Sequence, residues 1–513
     1  VIHLRLVSTI LSTILIGLGL PAASGVAAAS LPDPDASWNR LDRDGFVLLS
    51  DARPKRVARI AAALESMNRI LEVLHPQNDE TAQPLTVYFF QHDRSFRPYK
   101  FLSGDRPAHI DGMFLGHRDG DFIALSGAIN PARAARHEFV HHYLNRRGHR
   151  LPIWFEEGIA ELYSTVRQRK HRAILGEAPP VHLSSLQQGS LIPLEEFFRL
   201  GDNPPRYFEG RIPRIFYPQS WALVHYIWLS GRFTREEIAD FEQRLHLGQP
   251  AAAAFKSALG LRPREANREL RDYVDAGLPG RFRLTVEPVE RDIDGVTALS
   301  RRETLYHLGN LLAHNDPGHL QSAREHLEAA LELSPASLEI ENALGLVALR
   351  SRRWDKAEGH FRQVLACNPS DPTARLRLGE TLLHRARDLG IQSDPGDATL
   401  AQAESLLGEG IALRPADFAL VALRGKTLLY RSNCDGIVDL EAARAGLPHR
   451  TDVTQDLAAL LAACGRIGEA RRLAHPELPA DPRHHGEAGQ GFRALQLYVD
   501  EDLARLRGIA GLD

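Results

Sequence analysis

One spacing near the C-terminal end constrains this chain more than any other feature. Pro335 and Pro369 stand 34 residues apart, and so do Gly345 and Gly379. Between them, Trp354, Ala357, Phe361 and Leu365 recur at helical intervals. A repeat of this length holds two helices and two turns, and one such pair cannot bury its apolar face alone, so neighbours must stack. The pattern starts near Leu305 with Leu308-Gly309 and continues through Ala401 to Pro415, after an insertion at Gln392 to Ala398. It loses regularity between Val421 and Ala474. The reading is four to five stacked helix pairs over 300–480, with Trp354 and Phe361 as packing residues, and a helical tail over 481–513.

A chain of 513 residues needs more than this one array. Its 65 acidic and 62 basic residues nearly cancel, so no field draws it to nucleic acid. Cys367, Cys434 and Cys464 are too widely and unequally spaced for a metal or redox motif, which leaves either one bridge or buried free thiols. At the start, His3 and Arg5 precede an apolar run from Leu6 to Leu20 and a small-residue stretch to Ser30. This has the form of a signal peptide over 1–29, cleaved near Ala27 to Ala29. The other reading is a retained anchor, the one case in which a membrane is a partner. Both put the protein outside the cytosol, periplasmic or secreted.

The region 31–290 mixes strands and helices. Gly45 to Ser50 and Leu85 to Phe90 read as strands, and Lys55 to Leu74 between them has helical periodicity. Phe114-Leu115 and Asp121 to Leu125 flank a His117 to Gly120 turn, which predicts a hairpin. The sum is a small mixed sheet with a helix on one face, an α+β unit. Helices are predicted over Ala132–Asn145, Ile153–Val166, Leu194–Leu200, Gln219–Leu229, Thr234–Leu245 and Ala251–Leu259, with a shaped loop over Pro204–Pro218.

The first of those helices carries His137-Glu138-Phe139-Val140-His141, an HExxH sequence. Residues four apart share a helix face, so both imidazoles can ligate one zinc ion, and Glu138 can act on a water there. The next helix reads Trp154-Phe155-Glu156-Glu157-Gly158-Ile159-Ala160-Glu161-Leu162-Tyr163. Folded back antiparallel, it brings its early residues over the histidine pair. His142 points about 100° away from His141 and either lines the cleft or faces solvent. His92, His109, His117 and His149 read as surface or loop residues.

Together, HExxH and Trp-Phe-x-Glu-Gly-x-Ala-x-x-Tyr resemble the gluzincin clan of zinc metallopeptidases, which includes thermolysin and the aminopeptidases. More closely they resemble bacterial peptidase-MA-like domains, some of which are joined to tetratricopeptide repeats, the family that the 34-residue period resembles. The resemblance implies a zincin domain over about 31–290 and a repeat solenoid over 300–480. It implies one Zn²⁺ per chain on His137, His141 and Glu157, with Glu161 supporting His137. Glu161 or Glu156 as the third ligand stays open, because the gap from His141 to Glu157 is shorter than in familiar members. Glu138 is then the catalytic base. Tyr217 is the first candidate for the oxyanion donor, unless it only packs a loop onto the core, and His225 and Tyr226 come second. No segment marks an aminopeptidase-type amine anchor. The expectation is an exported zinc peptidase acting on a peptide or protein, with a repeat domain that recruits protein partners. The alternative is a binding or scaffold protein whose zinc site is structural or degenerate.

Overall fold

The structure is a computed structural model, and it describes residues 31–32, 36–75, 84–103, 106–117, 119–146, 151–202, 215–447 and 450–474. The signal-peptide reading of 1–29, the tail over 481–513, His149 and most of the Pro204–Pro218 loop lie outside these residues.

The N-terminal part is built on a six-stranded sheet in the order β11-β1-β2-β3-β7-β6. Strands β1 (Asn39–Arg43) and β2 (Phe46–Ser50) form an antiparallel pair, and helix α1 (Pro54–Leu74) crosses from β2 to the parallel strand β3 (Leu85–Phe90). Pro54 suits the first turn of α1, where its missing N–H costs nothing. A short helix α2 (Asp93–Phe96) and a two-stranded ladder, β4 (Leu102–Ser103) with β5 (Arg106–Pro107), lead to the hairpin. In it, β6 (Gly112–His117) pairs antiparallel with β7 (Gly120–Ser126), which lies parallel to β3. This leaves β6 at the sheet edge.

Strand periodicity divides the side chains between two cores. Leu48, Val87, Phe89, Ile123 and Leu125 pack on α1 and on α3 (Pro131–Arg146) and α4 (Ile153–Ser164). Leu49, Tyr88, Phe90, Met113, Leu115, Phe122 and Ala124 face the other way. Beyond α4 come the strands β8 (Arg167–Arg169) and β9 (Arg172–Leu175) and the helices α5 (Pro180–Gln188), α6 (Leu194–Asp202), α7 (Phe216–Leu229), α8 (Arg235–His246), α9 (Ala251–Leu259) and α10 (Pro263–Asp275). Strand β10 (Phe282–Thr285) completes a three-stranded sheet with β9 and β8, and β11 (Thr297–Ala298) returns to pair with β1.

From Arg301 the chain is helical and arranged in antiparallel pairs. These are α11 (Arg301–His314) with α12 (Leu320–Leu333), α13 (Leu338–Arg350) with α14 (Trp354–Cys367), and α15 (Pro372–Leu389) with α16 (Asp394–Leu413). Then follow α17 (Phe418–Tyr430) with α18 (Gly436–Gly446) and α19 (Thr451–Ala463) with α20 (Ile467–Ala474), five pairs among the described residues. Ser300 and Glu303 form a reciprocal capping box that starts the array sharply. Much of the insertion is absorbed into α16, which begins at Asp394. Phe361 is fully buried between pairs. Cys434 and Cys464 are bridged and Cys367 is exposed, so of the two readings the single bridge holds and the buried thiols do not.

The repeats do not hang from the sheet as a separate body. Leu305, Leu308, Leu311 and Leu312 of α11, and Leu346 and Val347 of α13, share one core with the second face of the sheet. Polar contacts reinforce it: Tyr88 donates to the His307 carbonyl at 2.9 Å, and Asn315 to the Tyr99 carbonyl at 2.7 Å. His117, read as a surface residue, sits in this interface with its Nε2 2.8 Å from the His314 carbonyl oxygen. Among the described residues, no helix is long and apolar enough to cross a membrane.

Candidate functional site

Helix α3 packs with one side on the sheet, and a buried polar contact fixes its rotation. His142 Nδ1 lies 2.6 Å from Oδ2 of Asp121 on β7, and Asn145 Nδ2 donates to Oδ1 of the same carboxylate at 3.3 Å. His142 therefore neither lines the cleft nor meets solvent. With that side of the helix held by the sheet, His137 and His141 turn together toward an open cleft.

Helix α4 supplies the opposing side chains. A Cβ at Gly158 would stand 2.5 Å from the Ser220 carbonyl oxygen and from Val224 Cγ2 of α7, so only glycine permits this helix contact. The close approach explains the glycine in Glu-Glu-Gly and seats α4 beside α3. His137 Nε2, His141 Nε2 and one Glu157 oxygen then form a compact triangle. The nitrogens are 3.2 Å apart, and Glu157 Oε2 is 3.3 Å from His137 Nε2 and 3.7 Å from His141 Nε2. Donors about 2.0–2.2 Å from a tetrahedral zinc ion stand about 3.3–3.6 Å from one another. The triangle matches that spacing, and the two-imidazole, one-carboxylate set suits zinc.

Glu161, one turn on, meets the other side of His137. Its Oε1 is 3.6 Å from His137 Nδ1, while Oε2 accepts from Arg133 Nη2 at 2.5 Å and lies 3.0 Å from His182 Nε2. Glu156 accepts from the Leu151 N–H at 3.3 Å and lies outside the triangle. Of the three glutamates left open by the sequence, the structure brings Glu157 to the histidine pair.

Charge follows this geometry. Burial disfavours ionised Glu157, but the two imidazoles outweigh it and hold its carboxyl far below the usual range. Burial likewise opposes the charge on Glu161, yet His182, His137 and Arg133 bring it down to about 2. Burial lowers His137, but the surrounding glutamates lift it to about 9. Glu138 is raised, chiefly by burial against the opposing pull of His137 and His141. Burial pushes Glu156 up to about 7.

The cleft has a volume of about 1070 Å³, and the triangle, Glu138, Tyr217 and strand β6 contribute to its lining. Gly112 of β6 lies directly against Glu138, since a Cβ there would come within 2.7 Å of Oε1. Tyr217 stands in the first turn of α7 rather than before it, and its hydroxyl is kept protonated by burial and then by Glu157, Glu138 and Glu161. The second-choice donors are engaged elsewhere. His225 is fully buried between the Gly176 carbonyl and the Tyr273 hydroxyl, each 2.9 Å away, and Tyr226 donates to Glu269. His109, read as a surface or loop residue, lines the cleft.

Arg133, His182 and Asp121 were not legible as site residues. Arg133 carried a signal, since it lies four residues before His137 on the same helix face. His182 carried none, because it comes from a separate helix 21 residues beyond Glu161.

A tetratricopeptide-repeat family model matches residues 316–372 and 342–390, and the C-terminal helix pairs are a tetratricopeptide-repeat region. No curated protein matches the chain. Among solved structures, TTC0263, a thermophilic tetratricopeptide-repeat protein of Thermus thermophilus, is 22% identical. The match covers 40% of this chain and 99% of that one at a TM-score of 0.31. YrrB, described as a tetratricopeptide-repeat protein with an unusual peptide-binding site, is 16% identical over 39% of this chain and 91% of its own, at a TM-score of 0.29.

Proposed function

We propose that the chain is a zinc-dependent peptidase whose repeat region engages a protein or peptide partner. The observation that carries the hydrolytic half is the His137–His141–Glu157 triangle at tetrahedral spacing, opening on a cleft that Glu138 also lines. Zinc bound there supplies a Lewis acid for the scissile carbonyl and for the attacking water. Glu138, raised by burial, has the basicity to take a proton from that water and pass it to the leaving amine. The hydroxyl of Tyr217, protonated and at the cleft wall, is placed to donate to the developing oxyanion. Glu161, held by Arg133 and His182, orients the His137 ring through Nδ1. The edge strand β6 offers main-chain groups to an extended peptide. We read residues 1–29 as an export signal or a retained anchor, either of which places the site outside the cytosol.

The second reading is a repeat-containing binding protein with a structural metal. It is favoured by the comparisons, in which the family match falls on the repeats, a class of array suited to protein and peptide binding. Against it, structural zinc sites close with four protein ligands, whereas this cluster brings together three among the described residues, with the Glu138 carboxylate beside them.

The test is zinc content and peptide cleavage for the wild type, His137→Ala and Glu138→Gln, prepared identically. The peptidase reading expects about one zinc in the wild type and in Glu138→Gln, none in His137→Ala, and cleavage in the wild type alone. Zinc without cleavage of a mixed peptide library points to the binding-protein reading. A wild type that takes up no zinc at neutral pH refutes both metal readings.

A further inference from the structure

We propose that Asp119, Arg377 and His314 form a latch through which the repeat region positions edge strand β6, the wall of the cleft next to Glu138. Asp119 sits in the turn between β6 and β7. Its Oδ2 accepts from Arg377 Nη2 of α15 at 2.7 Å and lies 3.0 Å from His314 Nε2 at the end of α11. Two helices from different repeats thus converge on one carboxylate of the hairpin, and His117 at the end of β6 adds its contact with the His314 carbonyl. Burial opposes the charge on Asp119, but His314 and Arg377 outweigh it and hold the carboxyl far below the usual range. Removing Arg377 leaves a largely buried carboxylate undercompensated.

Strand β6 transmits this hold because its two sides serve different partners. Met113 and Leu115 lie in the core shared with α11 and α13. On the other side Gly112 abuts Glu138, the Phe114 ring lies 6.3 Å from His142, and Gly116 abuts Asn145 of α3. Among the described residues, edge strand β6 has only β7 as a hydrogen-bonded neighbour in the sheet, so its tip depends on the latch for support. Asp119, Arg377 and His314 touch neither metal ligand nor base, and they act as positioning residues. Their effect on substrate rests on the peptidase reading, while their effect on β6 does not.

The test uses the full chain with Arg377→Met and, separately, Asp119→Asn, and Arg385→Met as control. Arg385 pairs with Glu358 at 2.8 Å and Asp355 at 3.3 Å within the repeats, away from the hairpin. Amide hydrogen exchange should speed up about tenfold over 112–117 in both latch variants, with 131–146 and zinc affinity changed less than about twofold. Where the wild type cleaves a peptide, KM should rise about fivefold with kcat nearly unchanged. Unchanged exchange over 112–117, or an equal rise in Arg385→Met, overturns the latch whether or not the protein is a peptidase. Raised exchange with wild-type KM overturns the claim that the latch positions substrate.

Discussion

Gly158→Ala probes the link between packing and metal binding most directly. On an exposed helix this change stabilises by about 1 kcal/mol through backbone entropy. Here the added carbon meets the Ser220 carbonyl oxygen at 2.5 Å, while ordinary contact begins at 3.4 Å. Helices α4 and α7 must therefore separate by about 0.9 Å at that point. Both are core elements, since Trp154, Phe155, Trp221 and Leu223 are fully buried. Overpacking of this kind costs about 2–3 kcal/mol, which lowers the melting midpoint of a domain this size by about 5–10 °C. The same shift moves Glu157, the next residue, relative to the histidines on α3. Metal sites tolerate only about 0.2 Å of ligand displacement, so zinc affinity should drop about tenfold to a hundredfold. Competition against a chromophoric chelator measures the affinity, and a thermal melt of the metal-free protein measures the packing cost. A variant with wild-type midpoint and affinity within threefold would show that α4 is not held by this contact, and the argument for the glycine would collapse.

Three further outcomes follow from the same contacts. Arg133→Met removes the 2.5 Å partner of Glu161 and should weaken zinc about tenfold while leaving the fold intact, as read by chelator competition and circular dichroism. Burial lowers His117 and His307 in the sheet–repeat interface to about 4. In the unfolded chain they titrate near the ordinary value, so the fold is fully stable above about pH 6.5 and loses on the order of 3 kcal/mol per histidine as the pH falls toward 4. Urea midpoints between pH 7 and pH 4 check this, and a flat profile across that window refutes it. Cys434→Ser opens a bridge spanning 30 residues, worth about 3.5 kcal/mol in loop entropy. Limited proteolysis should then cut the last two helix pairs well before the rest, and equal cutting rates in both proteins would show that the bridge adds nothing.

The parts of this molecule that were legible in the sequence are those whose signal is local. Helix α1 announces itself through Val57, Ile60, Leu64 and Leu71 on one face, and the histidine pair through its four-residue spacing. The continuous apolar run of β3 says that both faces of that strand are covered, but not by what. The answer lies more than 200 residues away, in Leu305, Leu308 and Leu312. Strands β1 and β11 were missed for a similar reason. Asn39–Arg43 buries only Leu41, and its partner Thr297–Ala298 is a two-residue, exposed segment. The clasp of His142 by Asp121 was hidden because a histidine beside an HExxH pair reads as part of the site. One bridge was left open by the sequence, but not which cysteines form it, because no short spacing marks the pair. Cys434 and Cys464 follow α17 and α19, equivalent turns of consecutive pairs, so a gap near one repeat length puts them side by side.

The second face of the sheet sets a timetable for biosynthesis. Strand β7 is complete at Ser126, whereas the helices that cover Leu49, Tyr88, Phe90 and Phe122 end only at Arg350. At about 5–20 residues per second, the ribosome needs roughly ten to forty-five seconds to make the intervening chain. During that interval a sheet with one bare apolar face and an open edge strand at β6 must be kept from pairing with its neighbours. A transcript truncated before α13 should therefore yield an aggregation-prone fragment, because part of the cover over that face would be missing.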